Sequence, residues 1–435
     1  MAKNIVILGA GFGGLQAALT LDKLFNSDAR WGRSPDRKRR GKHDLWEKYS
    51  VVLVDKNPFH TFTPLLYEIA TTSPETASNL KLQELVSFPI NSLISYRHIT
   101  FINDELAGVD MDKKRVRLSR SEIDFEYLIV ALGAEVNYFN IPGLAENSLQ
   151  MKSFGDAIKI RDKITEVFRN SKQNVRIVIG GGGATGVELA SEIKGWIPEL
   201  RKECGSKCDT EITIVESNPS VLYSLDKRVS EKASRRLQKI GVSIVTNAKL
   251  SKMDEKGVYF TNGDKRDCDI VIWTGGVKAN ELTNNMPFKT EARGRIEADQ
   301  NTNLGTNQEN IFAIGDAAVI YHPHTNQPTP WTARPAIMEG RIAANNIFQK
   351  ILAVEGIAKE PKQYCYRHRQ YPYIIPIGGK YAVAKIGPFV ISGIFGWAFK
   401  GITELNYFLS IMPPLQALKI WLKGFLIFIK NDRLG

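Results

Sequence analysis

Three features recur along this chain in a fixed order: a short run of consecutive aliphatic residues, a glycine-rich turn, then apolar residues at helical spacing. Residues 5–8 (IVIL) read as a buried parallel strand, because both faces are apolar rather than alternating. Gly9-Ala10-Gly11-Phe12-Gly13-Gly14 follows as a G-x-G-x-x-G turn, and LQAALTLDKLF continues as a helix. The pattern returns at residues 175–179, followed by Gly181-Gly182-Gly183-Ala184-Thr185-Gly186 and the helical VELASEIKGWI. Each unit is followed by a further strand that ends in an acid. YSVVLVD ends in Asp55 and EITIVE in Glu216. Other buried strands are predicted at 128–132, with Ala131 and Gly133 at its carboxyl end, in CDIVIWTGGVKAN, with Gly275 in its glycine turn, and in NIFAIGDAA.

In such a turn the first glycine permits the tight reversal, the second lets a pyrophosphate approach the backbone, and the third lets helix pack on strand. The phosphates then meet the unpaired N–H groups and positive dipole end of the helix. Two such units some 170 residues apart predict two dinucleotide sites on Rossmann-like α/β domains. A carboxylate at the next strand end accepts from both ribose hydroxyls and repels a 2′-phosphate, so Glu216 argues for NADH over NADPH. Asp55 lies 41 residues beyond Gly14 instead of the usual ~20, and the excess reads as a basic insertion at 27–48 in the intervening loop. Asp316, after a glycine at a strand end, suits hydrogen bonds from a polyol chain such as the ribityl of a flavin. HTFTPLLYEIATTSPETA fits neither helix nor strand cleanly and reads as a pocket wall or a packed loop. PWTARPAIMEGRIAANNIFQKIL reads as a helix whose small residues allow close approach to something flat, or simply tight helix packing.

At 435 residues the chain is too long for one core. Its net charge of +12 is localised: residues 27–48 hold eight Lys/Arg against four Asp/Glu, and residues 361–435 ten against two. That points to an anionic partner surface, lipid or nucleic acid. Four unevenly spaced cysteines make no disulfide framework, and Cys204 and Cys208 read as free thiols in a surface loop, not a metal pair. The first strand begins almost at once, so no signal peptide is expected. Residues 388–429 are apolar and aromatic, broken at Pro413-Pro414, with no uncharged run of the length a spanning helix needs. Along the last segment Lys419, Lys423 and Lys430 form a narrow cationic stripe over a wide apolar face. This predicts a helix lying on an anionic leaflet, with a homodimer interface as the alternative.

GAGFGG, VDKNPFHTFTPLLYEIA, VALGA, GGGATGVELASEI, IWTGGV and IFAIGDAA, in this order, resemble the flavoproteins with two dinucleotide-binding domains. NPFHTFTPLLYEIA in particular resembles the type II NADH dehydrogenases, single-subunit NADH:quinone oxidoreductases that bind the membrane peripherally. The resemblance implies an FAD domain (1–150 and 285–360) split by an inserted NADH domain (151–284), with residues 361–435 as a membrane-anchoring region. FAD is then expected on Gly9, Gly11 and Gly14, with Asp55 at its ribose, Ala131 and Gly133 nearby, and Asp316 at the ribityl or pyrophosphate. NADH is expected on Gly181, Gly183 and Gly186, with Glu216 at the ribose and Gly275 beside it. Glu188 matches a family glutamate near nicotinamide and flavin, expected to orient the one or relay a proton. Lys380, in GGKYAVAKIG, loosely matches a lysine beside the flavin. No metal is implied. The implied protein passes electrons from NADH to a membrane quinone without pumping protons, from the cytoplasmic side.

The chain also departs from the family. Where a quinone-side helix usually reads A-Q-x-A-x-Q-Q, it has Arg334, Met338 and Glu339, and Glu68 stands where glutamine is common. A different acceptor is therefore the alternative enzyme. A binding role like that of apoptosis-inducing factor has only the basic insertion in its favour. No C-x4-C pair exists for a disulfide reductase, and residues 120–190 offer no cysteine for sulfide:quinone chemistry.

Overall fold

The computed structural model describes residues 2–27, 45–171, 174–303 and 308–431. Most of the basic insertion, residues 28–44, lies outside them. In chain order the elements used below are β1 (Lys3–Leu8), α1 (Phe12–Ser27), β2 (Tyr49–Asp55), β3 (Ile99–Asn103) and β4 (Tyr127–Val130). Then follow α2 (Phe154–Asn170), β5 (Val175–Gly180), α3 (Ala184–Cys204), β6 (Thr210–Val215), β7 (Ser243–Val245) and β8 (Ile270–Trp273). Last come β9 (Ile311–Ala313), α4 (Ala333–Val354), α5 (Ile394–Ile411) and α6 (Pro414–Asn431).

The chain divides into two compact units, each assembled from three segments. The first comprises Met1–His60, Phe88–Glu135 and Val277–Arg369. Its sheet is parallel, in the order β9-β4-β1-β2-β3. The aliphatic run of β1 is wholly buried because the sheet is covered on both faces. Val6 and Leu8 share one apolar cluster with Val52, Val54, Leu128 and Val130. The order of connection reverses between β1 and β4, which opens the crevice where ligands bind in such sheets. The predicted strand at 128–132 ends earlier, at Val130, because the chain turns away through Gly133 at φ +72°.

The second unit comprises Thr61–Ser87, Val136–Gly276 and Gln370–Gly435. Its parallel sheet runs Leu149–Gln150, then β8-β5-β6-β7, the same topology with its own switch point between β5 and β8. NPFHTFTPLLYEIA yields a three-residue strand at Phe59–Thr61, a 3₁₀ turn at Thr63–Leu65 and one helical turn at Leu66–Ile69. The apolar tail folds as two helices, α5 and α6, parted where Pro413 and Pro414 prevent continuation. No helix among the described residues is long and apolar enough to cross a membrane.

Two small residues of α4 are taken up by packing within the first unit. Gly340 sits so close to α1 that an added Cβ would lie 2.3 Å from the Gly13 carbonyl oxygen, and Ala336 packs on Gly13 and Gly315. Tight helix packing is what they serve. Cys208 is buried, with its thiol donating to the Ser171 carbonyl at 3.1 Å, so the loop after α3 does not display two thiols.

Candidate active site

Each unit builds a glycine cradle at its switch point. Gly9 has φ +103°, and a Cβ there would lie 2.3 Å from the Ala131 carbonyl oxygen, just past the end of β4. A Cβ on Gly14 would fall 1.8 Å from the Gly9 oxygen, whereas one on Gly11 would meet nothing within 4 Å. The first and third glycines are thus demanded by the chain's own packing, while the middle one borders open space, as a pyrophosphate cradle requires. In the second unit Gly181 has φ +104° and presses on Gly275, Gly186 lies over the Gly181 oxygen (2.0 Å from a Cβ), and Gly183 again faces open space. Gly183 is the N-cap of α3 and has no side chain to satisfy its first amides. The Trp273 ring, anchored by its indole N–H to the Asn137 carbonyl (2.8 Å), packs against Gly180 and Gly275.

The two strand-end acids do the same thing. Asp55 Oδ2 accepts the Ala10 N–H at 2.7 Å, and Oδ1 accepts the Asn57 N–H at 2.8 Å. Glu216 Oε2 accepts the Gly182 N–H at 2.7 Å, and Oε1 accepts from the Asn218 backbone (2.8 Å) and side chain (2.6 Å). Each carboxylate therefore fixes the second residue of its glycine turn and leaves a negative charge at the strand end. Both cradles fit a dinucleotide: open at the middle glycine, leading into a helix start, and acidic where a ribose would lie.

Around the first cradle, His60 is buried with Nδ1 2.9 Å from the Ala10 carbonyl, and burial drives its pKa down to about 4. Asp316 occupies a 3₁₀ turn whose Gly315 N–H donates to Glu339 Oε2 at 2.6 Å. Burial pushes Glu339 up to about 8; the Gly315 bond opposes that shift and the Asp316 charge adds to it. Of the departures in α4, then, Glu339 holds the Asp316 turn, Met338 packs beside Ile320, Ile342 and Tyr366, and only Arg334 is exposed.

In the second unit Glu188 stands beyond the first turn of α3, where the dipole is weak, so a simple preference for a helix start does not account for it. Burial raises its pKa to about 8, with Lys400 opposing and Glu68 adding to the shift. Lys400 pairs with Glu68 and lies 3.4 Å from Glu404. Sequence reading missed this cluster. Its one signal was an opposite-charge pair at i, i+4 inside an otherwise apolar helix. Lys380 is half-buried after two glycines of positive φ, in a turn whose Ile377 and Gly378 carbonyls accept from Arg236 (3.3 and 3.1 Å). The structure does not bring Lys380 to Glu188 through any hydrogen bond or ion pair among the described residues.

Lys423, read as part of a lipid-facing stripe, pairs with Glu84. Beside it Leu415, Leu418, Leu422 and Leu426 form an exposed apolar row on α6, and Ile394, Phe395, Ile402 and Leu409 are exposed on α5. An apolar cavity of about 290 Å³ opens among Trp397, Phe408, Trp421, Phe425 and Phe428, with Glu68, Lys400 and Glu404 in its wall. All four cysteines are free, and no group of metal-ligating residues occurs among the described residues.

Among known proteins, the chain is 28% identical over 376 residues to the type II NADH:quinone oxidoreductase of Staphylococcus aureus, covering 84% of this chain and 86% of that one. The enzyme of the same name from Staphylococcus saprophyticus is 28% identical over 356 residues, covering 79% and 82%. Among solved structures, NDH2 from Plasmodium falciparum in complex with NADH superposes with a TM-score of 0.80 at 19% identity, over 100% of this chain and 99% of that one. The sulfide:quinone oxidoreductase of Aquifex aeolicus gives 0.73 at 18% identity, over 97% and 92%. The family model for pyridine nucleotide-disulphide oxidoreductases matches residues 3–340, most of the chain, and the protein belongs to that family.

Proposed function

We propose that the protein is a type II NADH:quinone oxidoreductase, an FAD enzyme that passes two electrons from NADH to a membrane quinone without moving protons across the membrane. The observation that carries the reading is the pair of like-built cradles in one chain, whose curated relatives bear that name over four-fifths of its length. Gly9, Gly11 and Gly14 would hold the FAD pyrophosphate, Asp55 its ribose and Asp316 its polyol chain, with Ala131 and Gly133 closing the crevice. Gly181, Gly183, Gly186 and Gly275 would hold NADH, and the Glu216 carboxylate rejects a 2′-phosphate. Bound FAD supplies the two-electron carrier between a hydride donor and a quinone. On this reading residues 1–150 and 285–360 serve FAD, 151–284 serve NADH, and 361–435 serve the membrane.

Glu188, protonated near neutral pH, orients the nicotinamide or holds a proton for the acceptor; Lys380 supplies positive charge to the flavin. The quinone head occupies the apolar cavity, whose aromatic walls suit a flat ring on an isoprenoid tail. The exposed rows of α5 and α6 lie in the headgroup region on the cytoplasmic side, so apolar surface carries the attachment more than the lysine stripe does.

A stopped-flow experiment tests the reading. The purified yellow protein is mixed with NADH or NADPH and then with quinone. Bleaching by NADH, at least tenfold faster than by NADPH, followed by rapid reoxidation by quinone supports it; a colourless protein that takes up no flavin defeats it. Deleting residues 390–435 would remove Lys400 and Glu404, so attachment is better tested with Leu415→Gln/Leu418→Gln/Leu422→Gln. Loss of sedimentation with anionic vesicles is expected, and undiminished sedimentation would place the anchor elsewhere.

A further inference from the structure

One wall of the apolar cavity is polar and unfinished. Glu68 Oε1 accepts from the Tyr67 hydroxyl at 3.0 Å and pairs with Lys400, yet Oε2 is buried with no hydrogen-bond partner, on a side chain only 6% exposed. The Lys400 ammonium reaches Glu404 as well (3.4 Å) and lies 5.4 Å from the Tyr67 ring centroid. Bare acceptors in dry cavities are rare, and such a site is completed when a ligand brings the missing donor. A quinone carbonyl has only acceptors to offer; its reduced form has hydroxyl donors. A wall with one ammonium, one carboxyl able to give a proton and one idle carboxylate oxygen matches both forms of that ligand.

Resting on the reading that the quinone head occupies this cavity, we infer that Glu404 is its proton donor, that Lys400 positions Glu404, and that Glu68 Oε2 receives the hydroxyl of the reduced product. The step balances. NADH provides two electrons and one proton, the O–H bond of Glu404 breaks as the second quinone O–H forms, and water returns a proton to Glu404. The carboxylate left behind is held beside Lys400, which limits its cost in a dry site. Burial pushes Glu404 up to about 7, with Lys400 opposing and Glu68 adding to the shift, so near neutral pH it carries the proton it must give. The titratable and charged groups facing it are Tyr67 and Glu68 in the Leu66–Ile69 turn and Lys400 on its own helix, while Glu188 and Glu192 on α3 face Tyr67. The α6 residues lining the cavity are all apolar or aromatic, apart from Gly424.

The test follows both half-reactions of the FAD-loaded enzyme against pH, with a short-chain benzoquinone or ferricyanide as acceptor; ferricyanide takes electrons without protons. In the wild type, reoxidation by quinone is expected to fall as pH rises through about 7, because Glu404 loses its proton. Glu404→Gln is expected to slow that reoxidation at least tenfold and abolish the pH limb, with bleaching by NADH and reoxidation by ferricyanide within twofold. Lys400→Met, lacking the cation that favours the carboxylate, is expected to move the limb to higher pH. Quinone reoxidation in Glu404→Gln within twofold of wild type, with the limb intact, overturns the inference. Should Glu404→Gln not hold FAD, an unshifted limb in Lys400→Met overturns it instead. A wild-type enzyme that quinone does not reoxidise defeats the parent reading.

Discussion

The two glycine cradles share a backbone and differ in company. In both, a strand-end carboxylate grips the second residue of the turn, the third glycine lies against the first, and the middle one faces open space. Beside the first cradle, His60 and Glu339 are held neutral by burial and pinned by backbone, His60 against Ala10 and Glu339 under Gly315. In the second unit the helix that leaves the cradle carries Glu188 into a set of charges that includes Lys400 and Glu68. On the proposed reading, the same device serves a resident cofactor beside backbone-pinned groups and a reacting nucleotide beside a cluster of interacting charges.

The sharpest way to break this comparison is to fill both cradles. Gly14→Ala puts a Cβ 1.8 Å from a backbone oxygen and Gly186→Ala one at 2.0 Å, overpacking that costs about 1–3 kcal/mol or more. Gly14→Ala is expected to lose FAD affinity by 100-fold or more and to purify colourless; Gly186→Ala is expected to stay yellow while its KM for NADH rises by about as much. The opposite outcome reverses the assignment of the two sites.

Next in size are the carboxylates, since hydrogen bonds to charged groups contribute about 1.5–3 kcal/mol, roughly 10–100-fold. Equilibrium titration should show Asp55→Asn weakening FAD by that factor. In Glu216→Gln, kcat/KM should fall for NADH and rise for NADPH, narrowing the ratio at least tenfold; an unchanged ratio removes Glu216 from donor selection.

A third measurement probes the inert side. His60 is neutral when folded, with its pKa lowered from 6.5 to about 4, so between those values the unfolded chain binds the extra proton. Stability should be complete above pH 6.5 and fall as pH drops toward 4, by up to about 3 kcal/mol from this residue. Urea unfolding of the holoprotein would show it, and His60→Asn should flatten the slope. The smallest effect concerns Lys423: its pair with Glu84 is solvent-exposed, and Lys423→Gln should change stability by less than about 1 kcal/mol.

What could be read from sequence was what lies in one piece. Strand, glycine turn and helix are contiguous, so both cradles were legible to the residue, and Asp55 remained so across a 41-residue gap because it closes a strand. The Glu68–Lys400 pair was not, since its partners are 332 residues apart and each looks like a stray charge in apolar sequence. Met338 and Glu339 looked like damage to an acceptor site, yet they serve packing and a backbone amide in their own unit. The basic stripe was legible only in part for a related reason: spacing along a helix says which lysines share a face, not that Glu84 pairs with one of them.

Gly340 on Gly13, and β9 at the edge of the first sheet, set an order of events on the ribosome. The second sheet is complete once Trp273 has emerged, but the first still lacks an edge strand until Ala313 and a helix cover until Gly340. At about 5–20 residues per second, the first sheet spends some tens of seconds without its edge strand and its helix cover. The beginning of this polypeptide is thus the part that finishes late, and its VIL run is what a chaperone would have to shelter in the interval.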